Sequence, residues 1–215
     1  MNNISRAANL IFSIISLLLS ITAICLTYSV GSTQIKISKL QYSPIFVLQD
    51  DNLYDKETKK NVTEKITIYN QGYPINDFEE ITKTFIVATS YNKNNKKEIT
   101  IPIIYYGITS SSSGGKGELS TLIDPGNFQY YIDLYNASLN YKGNKAVSDI
   151  SMKLVNVTKI DYLDPIDGEK SAYFINNKPS DKEKADIIFS KAIPVTAYDI
   201  QEITVSDIVK LFLTY

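Results

Sequence analysis

The chain opens on an unbroken apolar run and then changes texture. Residues 10–30 form 21 positions without a charge, twelve of them Leu, Ile, Phe or Val. Coiled as a helix, that run is about 31 Å long, enough to cross the ~30 Å hydrocarbon core of a bilayer. The twelve large side chains favour insertion by about 4–7 kcal/mol, and six Ser and Thr offset only part of it. A cleaved signal peptide has a shorter apolar stretch followed by a small-x-small site. Here only Ser29-Val30-Gly31 qualifies, at the far end, and Ile24 stands before Cys25 where a lipobox wants a small residue. The pattern predicts a short tail over 1–9 and one uncleaved N-terminal transmembrane helix over 10–30.

From Ser32 onward, short β-branched and aromatic runs alternate with turn clusters, as in an all-β sandwich or barrel. The runs predict strands at 34–40, 45–49, 65–69, 84–91, 98–106, 119–123, 128–135, 149–157, 172–175, 187–190 and 195–198. The cleanest alternations are Ile99, Ile101, Ile103, Tyr105 and Phe128, Tyr130, Ile132, Leu134, each setting four apolar side chains on one face. Asn70-Gln71-Gly72-Tyr73-Pro74, Asp124-Pro125-Gly126-Asn127 and Lys142-Gly143-Asn144 read as turns, and 92–97 as a hairpin loop. Pro102 places its strand at a sheet edge or a bulge. Ile150 and Met152 take one phase and Val155 and Val157 the other, so that strand is either bulged near Leu154 or buried on both faces. Ser180-Asp181-Lys182-Glu183 reads as a capping box, and a short helix is predicted after Ser206-Asp207. No linker or repeat divides the region. The expected fold is all-β: an immunoglobulin-like β-sandwich with long insertions, preceded by one N-terminal transmembrane helix. Residues 31–41 would be a juxtamembrane segment and first strand, and 42–215 the sandwich. The layout is similar to small bacterial anchored proteins with an immunoglobulin-like ectodomain.

Composition narrows the chemistry. There is no His and no Trp, one Cys, and one Arg, Arg6. Without His, and with Cys25 inside the apolar run, the usual acid–base and nucleophilic groups are missing. The single Cys excludes an internal disulfide, which suits a cytosolic protein or the surface of a Gram-positive-type bacterium better than a small eukaryotic secreted module. The net charge is −1 with both signs interspersed, so no basic stripe is present for nucleic acid.

Asn9, Ser13, Ser16, Ser20, Ala23 and Thr27 are spaced 4, 3, 4, 3 and 4, which puts them on one helix face. Small and hydroxyl residues on such a stripe allow helices to associate in a membrane, although they also bond back to their own helix. Ser13, Ser16, Ser20, Ala23 and Thr27 are the expected association face. Ser113-Gly114-Gly115-Lys116 spells a Ser-x-x-Lys motif, but two central glycines disfavour the helix that motif needs. The loop 108–117 around it reads as flexible. Asp161, Asp164, Asp167 and Glu169 are spaced by three rather than two, which suits solvated turn carboxylates better than a Ca²⁺ loop. Tyr is abundant, 16 in all, and Tyr106, Tyr131 and Tyr135 share the outward phase of two predicted strands, an expected aromatic binding face.

These features predict a single-pass membrane protein with a non-catalytic protein-binding or scaffolding role at the cell surface. The expected partners are membrane lipid and a protein met through the helix or the sandwich, with no cofactor, metal or nucleic acid. Arg6 precedes the span, and Lys36 and Lys39 follow it, so charge gives little help with orientation. A short tail before a long folded region favours an extracellular C-terminal domain. The alternatives are a cytoplasm-facing accessory subunit of a membrane complex and a hydrolase using Ser–Lys or paired carboxylates.

Overall fold

The computed structural model describes residues 2–55, 60–92, 95–142, 147 and 149–215. In chain order the elements are helix α1 (Asn2–Gln41), strands β1 (Phe46–Asp55), β2 (Lys60–Asn92), β3 (Asn95–Ile104), β4 (Gly107–Ser111) and β5 (Gly115–Ile123), and helix α2 (Asn127–Leu139). Then come strands β6 (Ile150–Asp164), β7 (Gly168–Ile175) and β8 (Lys178–Ser180), helix α3 (Lys182–Lys191), strand β9 (Tyr198–Asp199) and helix α4 (Val205–Thr214). They fall into two compact units, Met1–Ser43 and Pro44–Tyr215.

The first unit is essentially α1, 40 residues and roughly 60 Å long. Within Asn9–Gln41 mean hydropathy reaches 2.5 and none of that stretch is buried, so the helix is long and apolar enough to cross a membrane. The strand predicted at 34–40 is absent, because α1 runs through it to Gln41. Ile35 and Ile37 alternate, but no sheet neighbour buries them and, like Leu40, they are exposed. The helix stops just before Ser43-Pro44, where a proline excludes the helical backbone from the residue ahead of it.

In the second unit, β2 organises a nine-stranded sheet. Its first half pairs antiparallel with β1, from Phe46↔Asn70 to Asp55↔Lys60, and with β5, from Lys65↔Ile123 to Ile75↔Gly115. Its second half pairs with β6, from Asn76↔Leu163 to Ser90↔Ile150, and with β3, from Thr84↔Ile103 to Asn92↔Asn95. The order is β4-β5-β2-β6-β7-β8, with β1 and β3 also on β2 and β9 parallel to β3. An immunoglobulin-like sandwich is therefore not what forms. The sheet is open, and one 33-residue strand serves both halves instead of each half having strands of its own.

The change of partners happens at the predicted turn 70–74. The strand does not end there. Between Asn70↔Gly117 and Ile75↔Gly115 four residues of β2 stand against one of β5, and pairing then resumes. Pro74 and Gly72 suit this bulge because neither has to sustain a regular ladder.

Three apolar clusters hold the unit together. Leu48, Ile66, Ile68, Leu119 and Leu122 of the first half pack with Phe78, Ile160 and Phe174 of the second. Ile86, Ile101, Ile103, Ile150 and Met152 pack under Leu134 of α2 and Ile208, Val209 and Phe212 of α4. On the opposite face Phe85, Val87, Val155 and Val157 receive Ala185, Ile188 and Phe189 of α3. So β6 is buried on both faces, and its register with β2 is unbroken from Asp161 to Ile150, which resolves the double phase without a bulge. Pro102 lies on β3, whose outer edge, among the described residues, meets only β9 and a single bridge from Thr100 to Ala192.

Other sequence expectations need correction. Residues 128–135 are helical, not a strand: α2 buries Asn127, Leu134 and Ser138, with Tyr131 half-buried, a spacing of 4, 3 and 4 that the period-two reading overlooked. Residues 187–190 lie in α3, whose cap is Asp181 rather than Ser180, accepting from the Lys184 N–H at 2.8 Å. Of the strand at 195–198 only Tyr198 is kept, in β9. The loop at 108–117 is the β4–β5 hairpin. The C-terminal helix forms as α4, with its capping box at Thr204 and Asp207. The turn at 142–144 lies largely outside the described residues.

Candidate binding cleft

Where the two halves of the sheet meet, a polar seam separates the apolar clusters. Glu64, on the first half of β2, points at the Tyr105–Tyr106 pair that links β3 to β4. The Tyr106 hydroxyl donates to Glu64 Oε2 at 3.0 Å and the Tyr105 hydroxyl to the same oxygen at 3.3 Å. The two rings meet edge-on, centroids 4.8 Å apart. Tyr105 is fully buried because it ends the apolar alternation of β3, whereas Tyr106 packs partly against both neighbouring clusters.

A second arm reaches α2. Asp124 is 0% exposed and accepts from the backbone N–H groups of Asn127 and Phe128, the latter at 2.8 Å. It thus caps α2 from two residues ahead of Gly126, its N-cap, whose φ of 88° gives a left-handed turn. Asn127 Nδ2 donates to the Tyr105 carbonyl at 2.6 Å, and the Asp124 N–H donates to the Glu64 carbonyl at 2.9 Å.

The third arm is the β7–β8 hairpin. Asn176 and Asn177 have φ of 48° and 62°, the left-handed pair of a tight two-residue turn. Asn176 Oδ1 accepts from the Asn156 N–H at 2.9 Å, and Asn177 Nδ2 donates to Asp50 on β1. Asn156 Nδ2 donates to the Tyr106 hydroxyl at 3.3 Å. These groups line a cleft of about 250 Å³, with Lys65 and Leu154 in its walls.

Electrostatically the cleft is poor in compensation. Burial is the largest influence on Glu64 and raises its carboxyl above the ordinary value; the tyrosine hydroxyls oppose this and the Asp124 charge adds to it. Asp50 is also raised, first by burial. Burial and the Glu64 charge push both phenols up, so Tyr105 and Tyr106 stay protonated and act as donors.

The sequence-predicted groups are distributed differently. Tyr131 and Tyr135 are on α2, ring centroids 6.3 Å apart, and the Tyr131 hydroxyl donates to the Met152 carbonyl at 3.2 Å. Both pack against the core beneath α2 and α4, while Tyr106 turns to Glu64, so the three do not line one strand face. In α1, Ser13, Ser20 and Thr27 donate to the carbonyls of Asn9, Ser16 and Ala23 at 3.0, 2.8 and 2.8 Å. Ser113 sits in the β4–β5 turn and Lys116 in strand β5, so neither is on a helix.

The carboxylates of the β6–β7 turn engage one another's neighbours. Asp164 accepts from the Ile166 and Asp167 N–H groups, Lys159 meets Asp161 at 2.7 Å and Lys170 meets Asp167 at 2.6 Å. In the larger surface concavity beside this turn, about 560 Å³, Lys159, Asp161 and Lys170 are thus already paired. Among the described residues no group of three or more His, Cys, Asp or Glu is placed to hold a metal ion.

Sequence reasoning did not bring Glu64, Asp50, Asn156 and Asn177 together, because they meet only through long-range pairing. The one local signal was Asn176-Asn177 between apolar runs, a two-residue hairpin turn. Compared with known proteins, the chain matches no family model and no curated sequence.

Proposed function

We propose that this is a membrane-tethered, non-catalytic binding protein that holds its β-rich unit at the cell surface. The observation that carries it is α1: its large apolar side chains, such as Leu19 and Ile24 at 65% and 69% exposed, have no partner in their own unit, and a bilayer supplies one. The absence of His from the sequence and the pairing of Asp161 and Asp167 with Lys159 and Lys170 favour binding over hydrolysis. The polar cleft of the second unit is the surface we assign to a protein partner.

Membrane tethering is tested by replacing Leu18 and Ile21 with Arg. Each substitution disfavours insertion by roughly 3 kcal/mol. The variant is expected in the supernatant after membranes are pelleted and wild type in the pellet; wild type in the supernatant ends the proposal. Lys36 and Lys39 on the globular side favour a second reading, with the unit in the cytoplasm. Protease treatment of intact cells separates them: digestion of the β-rich unit supports the surface, and protection supports the cytoplasm.

A further inference from the structure

Only part of α1 fits inside a bilayer. The uncharged run 10–30 fills the ~30 Å hydrocarbon core, and residues 31–41 continue the same helix about 16 Å further. Ile37 and Leu40 stand about 10 and 15 Å beyond Val30 along the axis, past the reach of lipid tails. They are nonetheless 52% and 73% exposed. Three turns of helix that bury no side chain are marginal in water, so a cover for these residues stabilises the segment.

The spacing of the large residues says what kind of cover fits. Leu26, Val30, Thr33, Ile37 and Leu40 are 4, 3, 4 and 3 apart, and Leu19 lies one heptad ahead of Leu26 with Ala23 between them. A seven-residue repeat is the seam of a left-handed helix pair, and helices inside a membrane favour the same crossing, so one seam can run from lipid into water. Near the membrane surface the seam alternates β-branched Val30 and Ile37 with Leu26 and Leu40, a pattern that favours two parallel helices. All four are exposed. Thr33 suits the seam as well, because its hydroxyl donates to the Ser29 carbonyl at 2.9 Å and leaves the methyl group outward. The hydroxyls of Ser13, Ser20 and Thr27 are engaged by their own helix in the same way, so large side chains rather than polar glue carry the contact.

Charge selects a copy of the same chain. Residues 31–41 hold Lys36 and Lys39 and no acid, and neither lysine lies on the seam. A parallel, in-register copy sets Lys36, just before Ile37, against the neutral Gln41 that follows Leu40, and it leaves Lys39 facing away. No like charges meet. Copies inserted with one topology are parallel by construction and share one membrane plane.

We propose that α1 pairs in parallel with the α1 of a second copy of this chain, along a seam that runs through Leu26, Val30, Thr33, Ile37 and Leu40; this rests on the membrane tether proposed above. Two β-rich units are then carried on one paired stalk.

The experiment uses the full chain in native membranes, with Cys25→Ser removing the one native thiol. Single cysteines are placed on the seam (Ile37→Cys, Leu40→Cys) and off it (Ile35→Cys, Lys39→Cys), and mild oxidation is read as disulfide-linked dimer on a non-reducing gel. A disulfide needs Cα atoms about 4.4–6.8 Å apart, which only seam positions provide. Dimer from Ile37→Cys and Leu40→Cys is expected, with monomer from the other two. Adding Thr33→Lys should abolish the Leu40→Cys dimer, because two charges then face each other across the seam, whereas adding Ser38→Lys should leave it. Equal dimer at all four positions, more from Ile35→Cys than from Ile37→Cys, a disulfide to a chain of another mass, or equal losses from the two lysine variants overturn the pairing. Pelleting the same membranes reads the parent proposal separately. Chain in the pellet without seam dimer overturns the pairing alone; chain in the supernatant overturns the tether.

Discussion

The Asn70 side chain donates to the Gly115 carbonyl at 2.8 Å, tying the bend in β2 to the start of β5. The same amide donates to the Tyr73 carbonyl at 2.7 Å and accepts from the Gly72 and Ile45 N–H groups at 3.0 and 3.2 Å. It is fully buried and uses both donors and both acceptor positions. One residue therefore closes the bulge, anchors β1 and holds the hairpin. Asn70→Ala strands four backbone groups and is expected to cost about 2–4 kcal/mol. Asn70→Asp should cost as much, because it removes both donors and aims oxygen at two carbonyls. Denaturant unfolding of the full chain in detergent, followed by tyrosine near-ultraviolet circular dichroism, measures both; a loss below about 1 kcal/mol means the bend is held by other contacts.

Gly114 answers to the same bend from the other side. Its φ is +141°, and a Cβ there would lie 2.5 Å from the Ile75 carbonyl oxygen. Gly115, at φ +109°, has nothing within 4 Å of that position. Gly114→Ala meets backbone strain and an immovable backbone atom, whereas Gly115→Ala meets strain alone, about 1–3 kcal/mol. The expected order of unfolding midpoints is wild type, then Gly115→Ala, then Gly114→Ala. Equal midpoints for the two variants would show that the hairpin moves away from Ile75 freely.

Glu80 sets the pH response. It is 9% exposed, both carboxyl oxygens lack a hydrogen-bond partner among the described residues, and the hydroxyls of Ser120 and Thr82 are near but outside bonding geometry. Burial is the leading cause of a pKa raised above the ordinary 4.5, and the two hydroxyls oppose it. An acid raised in this way binds its proton more tightly folded than unfolded, so its contribution is complete below pH 4.5 and fades as pH climbs through the folded value. Glu64 and Asp50 shift the same way. Half-buried Asp161 and Asp207, both lowered, act in the opposite sense with little weight, since solvent still screens them. Glu80→Gln is expected to raise the neutral-pH melting midpoint by about 2–4 °C. At pH 4 it should change the midpoint little. A fall at neutral pH would mean that the carboxylate has a donor.

The sequence expressed the apolar helix plainly, since length and hydropathy are local quantities, and it expressed most strands by alternation. It did not express where β2 changes partners. Asn70-Gln71-Gly72-Tyr73-Pro74 looks like a stop because proline and glycine usually end a ladder, and only the buried Asn70 amide lets the strand resume. Residues 128–135 satisfy periods of 2 and 3.6 together, and the Asp124 cap decides between them. Glu64 carries no local mark at all. Its importance comes from Tyr106, 42 positions away, which the β2–β3 hairpin returns to it.

Asp124 gives the last expectation, because it joins that cap to the cleft. Its carboxylate receives two N–H groups from the first turn of α2 while its own N–H holds the Glu64 carbonyl. Its pKa is raised, burial outweighing the backbone donors. Asp124→Ala removes a cap whose loss costs about 1–2 kcal/mol and leaves two buried donors unmet. Asp124→Asn keeps one acceptor oxygen and no charge to desolvate, so it should cost less than half as much. Because Asn127 links the cap to Tyr105, Asp124→Ala should also loosen the Tyr105–Tyr106 pair. Amide hydrogen exchange at Asn127, Phe128 and Tyr106 should rise together in Asp124→Ala. Faster exchange at α2 alone would separate the helix cap from the seam.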